Sequence, residues 1–177
     1  MKDTLSKIMI GFKVAKIIAK INFIVSIVAG AIVILAYPTA LIGGGAPDGF
    51  LHVCIHGAIG CAETAVIAMW GMRFFDSVLK QGTPFEHESV KRCFRFGLVA
   101  AITPFATLAL SCTVSFVFAF TDQTSLEVLR ELTEPSASPY FFVGLIALLM
   151  TPVLRHGTEL RQAVEQAAEK QEQSANE

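Results

Sequence analysis

Three residues in one apolar segment, His52, His56 and Glu63, are the strongest candidates for chemistry in this sequence. They are separated by four and seven positions, and on an α-helix these steps bring the three side chains within about 40° of one another. Histidine titrates near neutral pH, and an acidic side chain inside an apolar helix has to face protein, water or a partner instead of lipid. The spacing therefore predicts one polar helix stripe that carries protons, binds a metal ion or holds helices together.

A metal site is one interpretation of this stripe. Two histidines four positions apart on a helix can present both imidazoles to one zinc ion. Glu63 lies nearly two turns from His56, about 10 Å along the helix axis, so the three residues cannot all bind one ion from a regular helix. A further ligand from the loop at Asp48 or from another helix would be required, and we assign no metal ligand, cofactor or catalytic residue.

A proton relay and a structural contact are the two other interpretations. A relay would lead from His56 near the outer surface to Glu63 near the middle of the membrane, as in a channel or a coupled carrier. Transporters, however, display broken helices and inverted repeats, and neither is visible in this sequence. In the structural interpretation, His52 and His56 bond to a loop or to water, and Glu63 bonds across the helix bundle. The candidate partners for Glu63 are Asn22, Ser26, Thr107 and Ser111.

The elements that must hold these residues follow from composition and hydropathy. Of the 177 residues, 53% are hydrophobic and only 16% are charged, against about 25% charged in typical soluble domains, and the mean hydropathy is +0.58. Apolar runs of about 20 residues are long enough to cross a hydrocarbon core of about 30 Å. We therefore predict an all-α membrane protein with a single integral membrane domain. Its four transmembrane helices are predicted at residues 21–42, 50–72, 96–120 and 139–155.

The basic residues predict how these helices are oriented. Thirteen of the fourteen Lys and Arg residues occur at 2–20, 73–95 and 155–170. Since cytoplasmic loops retain Lys and Arg while translocated loops lose them, both termini are predicted to be cytoplasmic. The cytoplasmic parts are then an N-terminal interfacial extension of the first helix, the connection at 73–95 and a helical tail at 156–177. The predicted external loops are 43–49 and 121–138.

The connection at 73–95 also carries a signal for the start of a helix. Thr83, Pro84 and Glu86 have the spacing of a capping box, in which the Thr hydroxyl and the Glu carboxylate each satisfy a free amide. Proline suits the first helical position, because its missing N–H is not needed there. We therefore predict that the helix leading into the third span begins at Pro84.

Two segments resemble a known family. Residues 79–86 read Leu-Lys-Gln-Gly-Thr-Pro-Phe-Glu and lead through basic residues to Gly97, and residues 153–162 read Val-Leu-Arg-His-Gly-Thr-Glu-Leu-Arg-Gln. Both are similar to motifs of the bacterial membrane proteins called the domain of unknown function 2975 family. The resemblance implies four helices, no established reaction and an association with small helix-turn-helix regulators. The tail departs from the family pattern, because Ala and Gln dominate where the family has more acidic residues.

These features predict a bacterial inner-membrane, multi-pass protein with a non-enzymatic interaction or regulatory function. A net charge of −1 provides no basic face for nucleic acid. Besides the lipid bilayer, the expected contacts are a membrane or cytoplasmic protein partner that binds 73–95 and 155–177, or a second copy of the chain. A small proton-coupled carrier or channel subunit that uses Glu63 and His56 is the alternative. A metal-dependent membrane enzyme is the third interpretation.

Overall fold

The computed structural model describes residues 2–43, 45, 49–119 and 138–175 of the chain. These residues form four α-helices: α1 is Lys2–Ile42, α2 is Phe50–Gln81, α3 is His87–Ala119 and α4 is Pro139–Ala175. Each helix is long and apolar enough to cross a membrane. The prediction of an all-α protein with four such helices is confirmed. The predicted external loops at 43–49 and 121–138 lie largely outside the described residues.

Every helix is longer than the span predicted from hydropathy. α1 has 41 residues and α4 has 37, so at 1.5 Å per residue they measure about 62 Å and about 55 Å, about twice the hydrocarbon thickness of about 30 Å. In α1 the additional turns lie before Ile21, and in α4 they lie after Arg155. These are the two places where the sequence predicts a helical extension and a helical tail.

Glycines in the left-handed backbone conformation flank α2 on both sides. Gly49, just before the helix, has φ 75°, and Gly82, just after it, has φ 69°. A side chain with a Cβ atom is strained at such angles, whereas glycine is not. The glycine at position 82 therefore lets α2 end at Gln81 and the chain reverse toward α3 within a few residues.

The predicted start of α3 at Pro84 is wrong, because the helix begins three residues later at His87. The amide of Val90 donates to the carbonyl of Glu86 at 3.0 Å, and this is the first turn of α3. Glu86 is therefore the residue that caps the helix through its backbone, and residues 83–85 belong to the turn between α2 and α3.

The capping box fails because both of its side chains have other partners. The Thr83 hydroxyl accepts the amide of Phe85 at 3.2 Å, which closes a local turn. The Glu86 carboxylate accepts from the Arg161 guanidinium of α4 at 3.0 Å. An ion pair between helices thus takes the carboxylate that a capping box would have used within the chain.

The helices pack mainly in the order of the sequence, α1 on α2, α2 on α3, and α3 on α4. α2 and α3 therefore form the centre of the array. Apolar side chains cluster near the end of the bundle where α2 passes to α3, which we call the connection end. The buried members of this cluster are Ile67, Phe74, Val78, Val90, Cys93, Phe96, Ala100, Ala147 and Leu154. α1 joins it through Phe12, whose ring lies edge-on to Phe74 with 6.0 Å between centroids.

α3 and α4 approach until their backbones touch. A Cβ atom at Gly144 would lie 2.7 Å from the carbonyl carbon of Ala100 and 2.8 Å from the carbonyl oxygen of Gly97. A Cβ atom at Gly97 would lie 2.9 Å from the amide nitrogen of Leu148. These distances are well inside the optimal separation of about 3.5 to 4.0 Å between carbon atoms. The α3–α4 interface therefore depends on small residues, as close helix contacts in membranes generally do.

Gly144→Ala should separate α3 from α4 and lower the free energy of unfolding in detergent by about 1 to 3 kcal/mol, the usual range for overpacking. The measurement is a thermal or denaturant unfolding curve of the purified protein. Gly60→Ala is the matched control, because a Cβ atom at Gly60 has nothing within 4 Å and alanine is the better helix former. Equal unfolding curves for the two variants would contradict the backbone contact at Gly144.

Candidate functional site

Both histidines of the predicted stripe meet a serine of α3. Ser115 Oγ lies 3.0 Å from His52 Nε2 and 3.1 Å from His56 Nε2, and the two Nε2 atoms are 2.9 Å apart. We call these three residues the histidine cluster. His52 is 3% exposed and Ser115 is fully buried. The three polar atoms therefore satisfy one another at the interface between α2 and α3.

The short distance between the two imidazoles restricts their protonation. Two Nε2–H groups facing each other at 2.9 Å would place two donors without an acceptor. At most one of His52 and His56 can therefore carry a proton on Nε2, and the two rings cannot both be imidazolium. The 2.9 Å separation therefore leaves room for at most one proton between the two rings.

The surroundings of His52 differ from the expectation in the sequence analysis. A bond to a loop or to water was expected, whereas the structure pairs His52 with Ser115 and packs its ring 5.4 Å from the ring of Phe118. The physical reason is helix length. α3 continues to Ala119, so its last turns reach the level of His52 and provide a protein partner there.

Glu63 is hydrogen-bonded to two hydroxyl groups from different helices. Thr107 Oγ1 of α3 donates to Glu63 Oε2 at 2.8 Å, and Ser138 Oγ, just before α4, donates to Glu63 Oε1 at 3.2 Å. We call these three residues the Glu63 site. The carboxyl group thus joins α2, α3 and the start of α4 at one level of the bundle.

Of the four predicted partners of Glu63, the structure brings one to it. Thr107 bonds to the carboxyl group, whereas the described residues Asn22, Ser26 and Ser111 do not. Ser26 Oγ instead donates to the carbonyl of Asn22 at 2.7 Å, within α1. Ser138 was not among the predicted partners, because a serine before Pro139 is typical of the start of a helix. Its side-chain direction depends on how α4 packs against α2.

Thr107 has one hydroxyl proton but two acceptors within reach. Besides Glu63 Oε2, its Oγ1 lies 3.0 Å from the carbonyl oxygen of Pro104. If Glu63 is ionised, Thr107 donates to the carboxylate. If Glu63 is neutral, its O–H can donate to Thr107, which then donates to the Pro104 carbonyl. The Glu63 site therefore accommodates both protonation states by rotation of one hydroxyl group.

The histidine cluster and the Glu63 site lie on the same interface but are separate. His56 and Glu63 are seven positions apart on α2, or about 10 Å along the axis, and no hydrogen bond joins them among the residues that the structure describes. A proton would need an intermediate group or water to pass between them. Thr64, next to Glu63, adds a contact to α4 by accepting from the Tyr140 hydroxyl at 3.3 Å.

Only two described side chains near this interface could serve together as ligands of a metal ion. Within the described part of the chain, no group of three or more His, Cys, Asp or Glu side chains could hold a metal ion. His52 and His56 supply two nitrogens, and a structural or catalytic zinc site takes at least three protein ligands. Asp48, the further ligand considered in the sequence analysis, lies outside the described residues.

The connection end has its own set of contacts between helices. Lys16 of α1 pairs with Asp76 of α2 at 2.5 Å, and Arg161 of α4 pairs with Glu86 as described above. Ser89 of α3 donates to Ser77 of α2 at 3.3 Å. All four helices are therefore tied together at this end by polar side chains.

The turn at Phe85 adds an apolar contact to this end. A Cβ atom at Gly157 would lie 2.5 Å from the ring of Phe85, so the ring rests directly on the backbone of α4. Gly157 is part of the closing motif noted in the sequence, and Phe85 is part of the other motif. The two motifs are thus in contact.

Comparison with family models, with curated proteins and with solved structures gave no match. Membership of the domain of unknown function 2975 family therefore stays a prediction from the two motifs. The described residues define the class of structure. They form four helices that are able to cross a membrane, with a polar interface between α2 and α3.

Glu63→Leu should lower the free energy of unfolding in detergent by about 1 to 2 kcal/mol, because it removes the acceptor for two hydroxyl groups. In a double-mutant cycle with Thr107→Val, the coupling energy should be about 0.6 kcal/mol and at most about 1.7 kcal/mol. Thr113→Val is the control, because the exposed Thr113 hydroxyl bonds only to its own helix at Ala109. Equal coupling of Glu63 to both threonines would show that the Thr107 bond is absent.

Proposed function

We propose that this chain is a multi-pass protein of a bacterial inner membrane, with both termini in the cytoplasm, that acts as a non-enzymatic interaction or regulatory component. The orientation is supported by the three basic segments, which belong to helices tied together at the connection end by the Lys16–Asp76 and Glu86–Arg161 pairs. Because cytoplasmic loops retain Lys and Arg, all three basic segments are expected at the same end of the bundle.

The contact between the α2–α3 turn and α4 carries this proposal. The Glu86–Arg161 pair and the packing of Phe85 on Gly157 join 73–95 to 155–177, the two segments predicted to bind a partner. A partner that binds the tail therefore also meets the turn. The two segments act as one surface, which we call the composite surface.

The tail beyond this contact is open to a partner. From 159 to 171 every residue of α4 is exposed, including Leu160 at 55% and Val164 at 68%. These two apolar residues are four positions apart and so share one face of the helix. α4 measures about 55 Å, so about 25 Å of it extends beyond a hydrocarbon core of about 30 Å. This length is available to a cytoplasmic protein.

The polar groups inside the apolar helices support a structural role over catalysis. In the described residues, every buried side-chain nitrogen and oxygen has a hydrogen-bond partner. His52, His56 and Glu63 use Ser115, Thr107 and Ser138 for this purpose. Such bonds hold membrane helices together, and they position the helices that carry the composite surface.

A photo-crosslinking side chain at Val164 should form a discrete adduct with one cytoplasmic protein in living cells. Arg161→Glu should reduce this adduct, since it breaks the pair with Glu86, and the added change Glu86→Arg should restore part of it. Gel analysis of the adduct measures each yield. The same crosslinker at Ile34, an apolar residue of α1 that is 63% exposed, is the matched control and should give no protein adduct.

Two results would contradict the interaction proposal. One is the lack of any discrete adduct from both Val164 and Leu160. The other is labelling of Gln166→Cys by an impermeant reagent in intact cells, because a residue of a cytoplasmic tail is accessible only after the membrane is broken.

A proton-coupled carrier or channel subunit is the second candidate. It is favoured by two observations, the 2.9 Å between the Nε2 atoms of His52 and His56 and the two acceptors within reach of the Thr107 hydroxyl. The separation of His56 from Glu63 counts against it. Bound metal that is stoichiometric after purification and lost in His56→Ala would instead favour a metal-dependent membrane enzyme.

Proton flux in liposomes separates the first two candidates. Under the leading proposal, the wild-type protein shows no flux above empty liposomes, and Glu63→Gln retains the wild-type cellular phenotype because glutamine preserves shape and hydrogen bonding. A relay predicts flux that is lost in Glu63→Gln, because an amide cannot exchange the proton. Glu159→Gln, at an exposed residue of α4, is the charge-matched control and should leave any flux unchanged.

A further inference from the structure

A basic pocket of about 310 Å³ opens between α2 and α3 near the connection end. It is lined by Trp70 and Arg73 of α2 and by Glu88, Arg92 and Arg95 of α3. Three guanidinium groups and one carboxylate give it a formal charge of +2. Its volume lies at the lower end of the range of about 300 to 1,000 Å³ that small-molecule sites occupy, so it suits a head group and not an entire lipid.

Part of the pocket is held in place by the protein. The Arg73 guanidinium carbon lies 5.1 Å from the centroid of the Trp70 ring, which is within cation–π distance. Arg92 Nε donates to Glu88 Oε1 at 2.8 Å, and another nitrogen of Arg92 donates to the carbonyl of Arg73 at 3.3 Å. Arg92 therefore bridges the two helices and neutralises the carboxylate.

The other two arginines keep their charge free for a ligand. Neither Arg73 nor Arg95 forms a salt bridge with a carboxylate of the described residues, and both side chains are exposed. The two side chains line the same pocket, and like charges repel more strongly near a lipid phase than in bulk water. An anion between Arg73 and Arg95 would relieve this repulsion.

The pocket lies where the charged segments of both helices end. Arg73 is the first charged residue after Glu63 along α2, and Arg95 is the last before the apolar part of α3. Trp70 adds the amphipathic ring that prefers this level of a membrane. On the same helix stripes, one or two turns further into the apolar region, Val66, Leu98 and Ile102 are 38%, 41% and 54% exposed. The polar pocket thus continues into an apolar surface.

We propose that this pocket binds the phosphate group of an anionic phospholipid, with the acyl chains along the apolar surface of Val66, Leu98 and Ile102. Arginine presents a planar fork of donors that matches the oxygens of a phosphate group. Basic pockets between transmembrane helices bind such head groups. A free phosphate ion would use the same guanidinium groups but would gain nothing from the apolar surface. Four of its five lining residues lie within 73–95, so the site shares that segment with the composite surface, and the purified protein in lipid tests it in the absence of a protein partner.

Trp70 makes the proposal directly measurable, because it is the only tryptophan of the chain. The purified protein is reconstituted in phosphatidylcholine with a minor fraction of phosphatidylglycerol whose acyl chains are brominated, and quenching of Trp70 fluorescence is recorded. Quenching should exceed that from brominated phosphatidylcholine at the same fraction. Arg95→Gln should reduce this preference about fivefold, the usual contribution of one basic residue near a membrane surface.

Two further variants distinguish the pocket from general surface charge. Lys91→Gln removes an exposed charge one turn from Arg95 that does not line the pocket, and it should keep the wild-type preference. Glu88→Gln removes the competing carboxylate and should increase the preference about fivefold, a gain that misfolding cannot produce. Equal quenching by the two brominated lipids in the wild-type protein, or equal losses in Arg95→Gln and Lys91→Gln, would overturn the proposal.

Soluble phosphate provides the remaining test. Inorganic phosphate at about 10 mM, compared with chloride at the same ionic strength, should leave the quenching by brominated phosphatidylglycerol unchanged. Equal quenching by the two brominated lipids, together with a change in Trp70 fluorescence on addition of inorganic phosphate, would assign the pocket to a free anion and overturn the proposal.

Discussion

The structure depends on one requirement, that polar side chains inside apolar helices find their hydrogen-bond partners within the protein. α2 and α3 meet this requirement at two levels inside the apolar segments, and a third polar contact joins them at the connection end. The contacts are His52 and His56 with Ser115, Glu63 with Thr107, and Ser77 with Ser89. From His52 to Ser77 there are 25 positions on α2, and from Ser115 to Ser89 there are 26 on α3. One antiparallel register therefore satisfies all three contacts.

A slip of α2 against α3 by one turn would move the contacting groups by about 5.4 Å and break all three contacts together. Within the apolar segments a hydrocarbon environment would offer no replacement partners, so there the cost of a wrong register is far larger than the small gain from each bond suggests. Polar contacts therefore set the register of α2 against α3, and α1 and α4 pack against this pair of helices.

α4 connects the inside of the bundle with its surface. Ser138, at the start of the helix, bonds to Glu63, and Arg161, some 23 positions later, pairs with Glu86. The helix between them runs without a break through Pro152 and touches the backbone of α3 at Gly144. The Glu86–Arg161 pair is partly exposed, and such pairs contribute about 0 to 1 kcal/mol. Its role is therefore to position the tail and the turn against each other, while the glycine contact provides the stability.

The sequence alone determined the helices and the stripe. Long apolar runs have to be helical in a membrane, because every backbone polar group must be bonded within its own segment, and helical periodicity then places His52, His56 and Glu63 on one face. The partners Ser115 and Ser138 are visible only in the tertiary structure. A helix that is apolar all round carries no sequence signal for which of its faces meets a neighbouring helix. For the same reason the pocket of Arg73, Arg92 and Arg95 was visible only as a basic segment. The capping box at Thr83 failed because a contact with a distant helix, which local sequence cannot encode, took the carboxylate of Glu86.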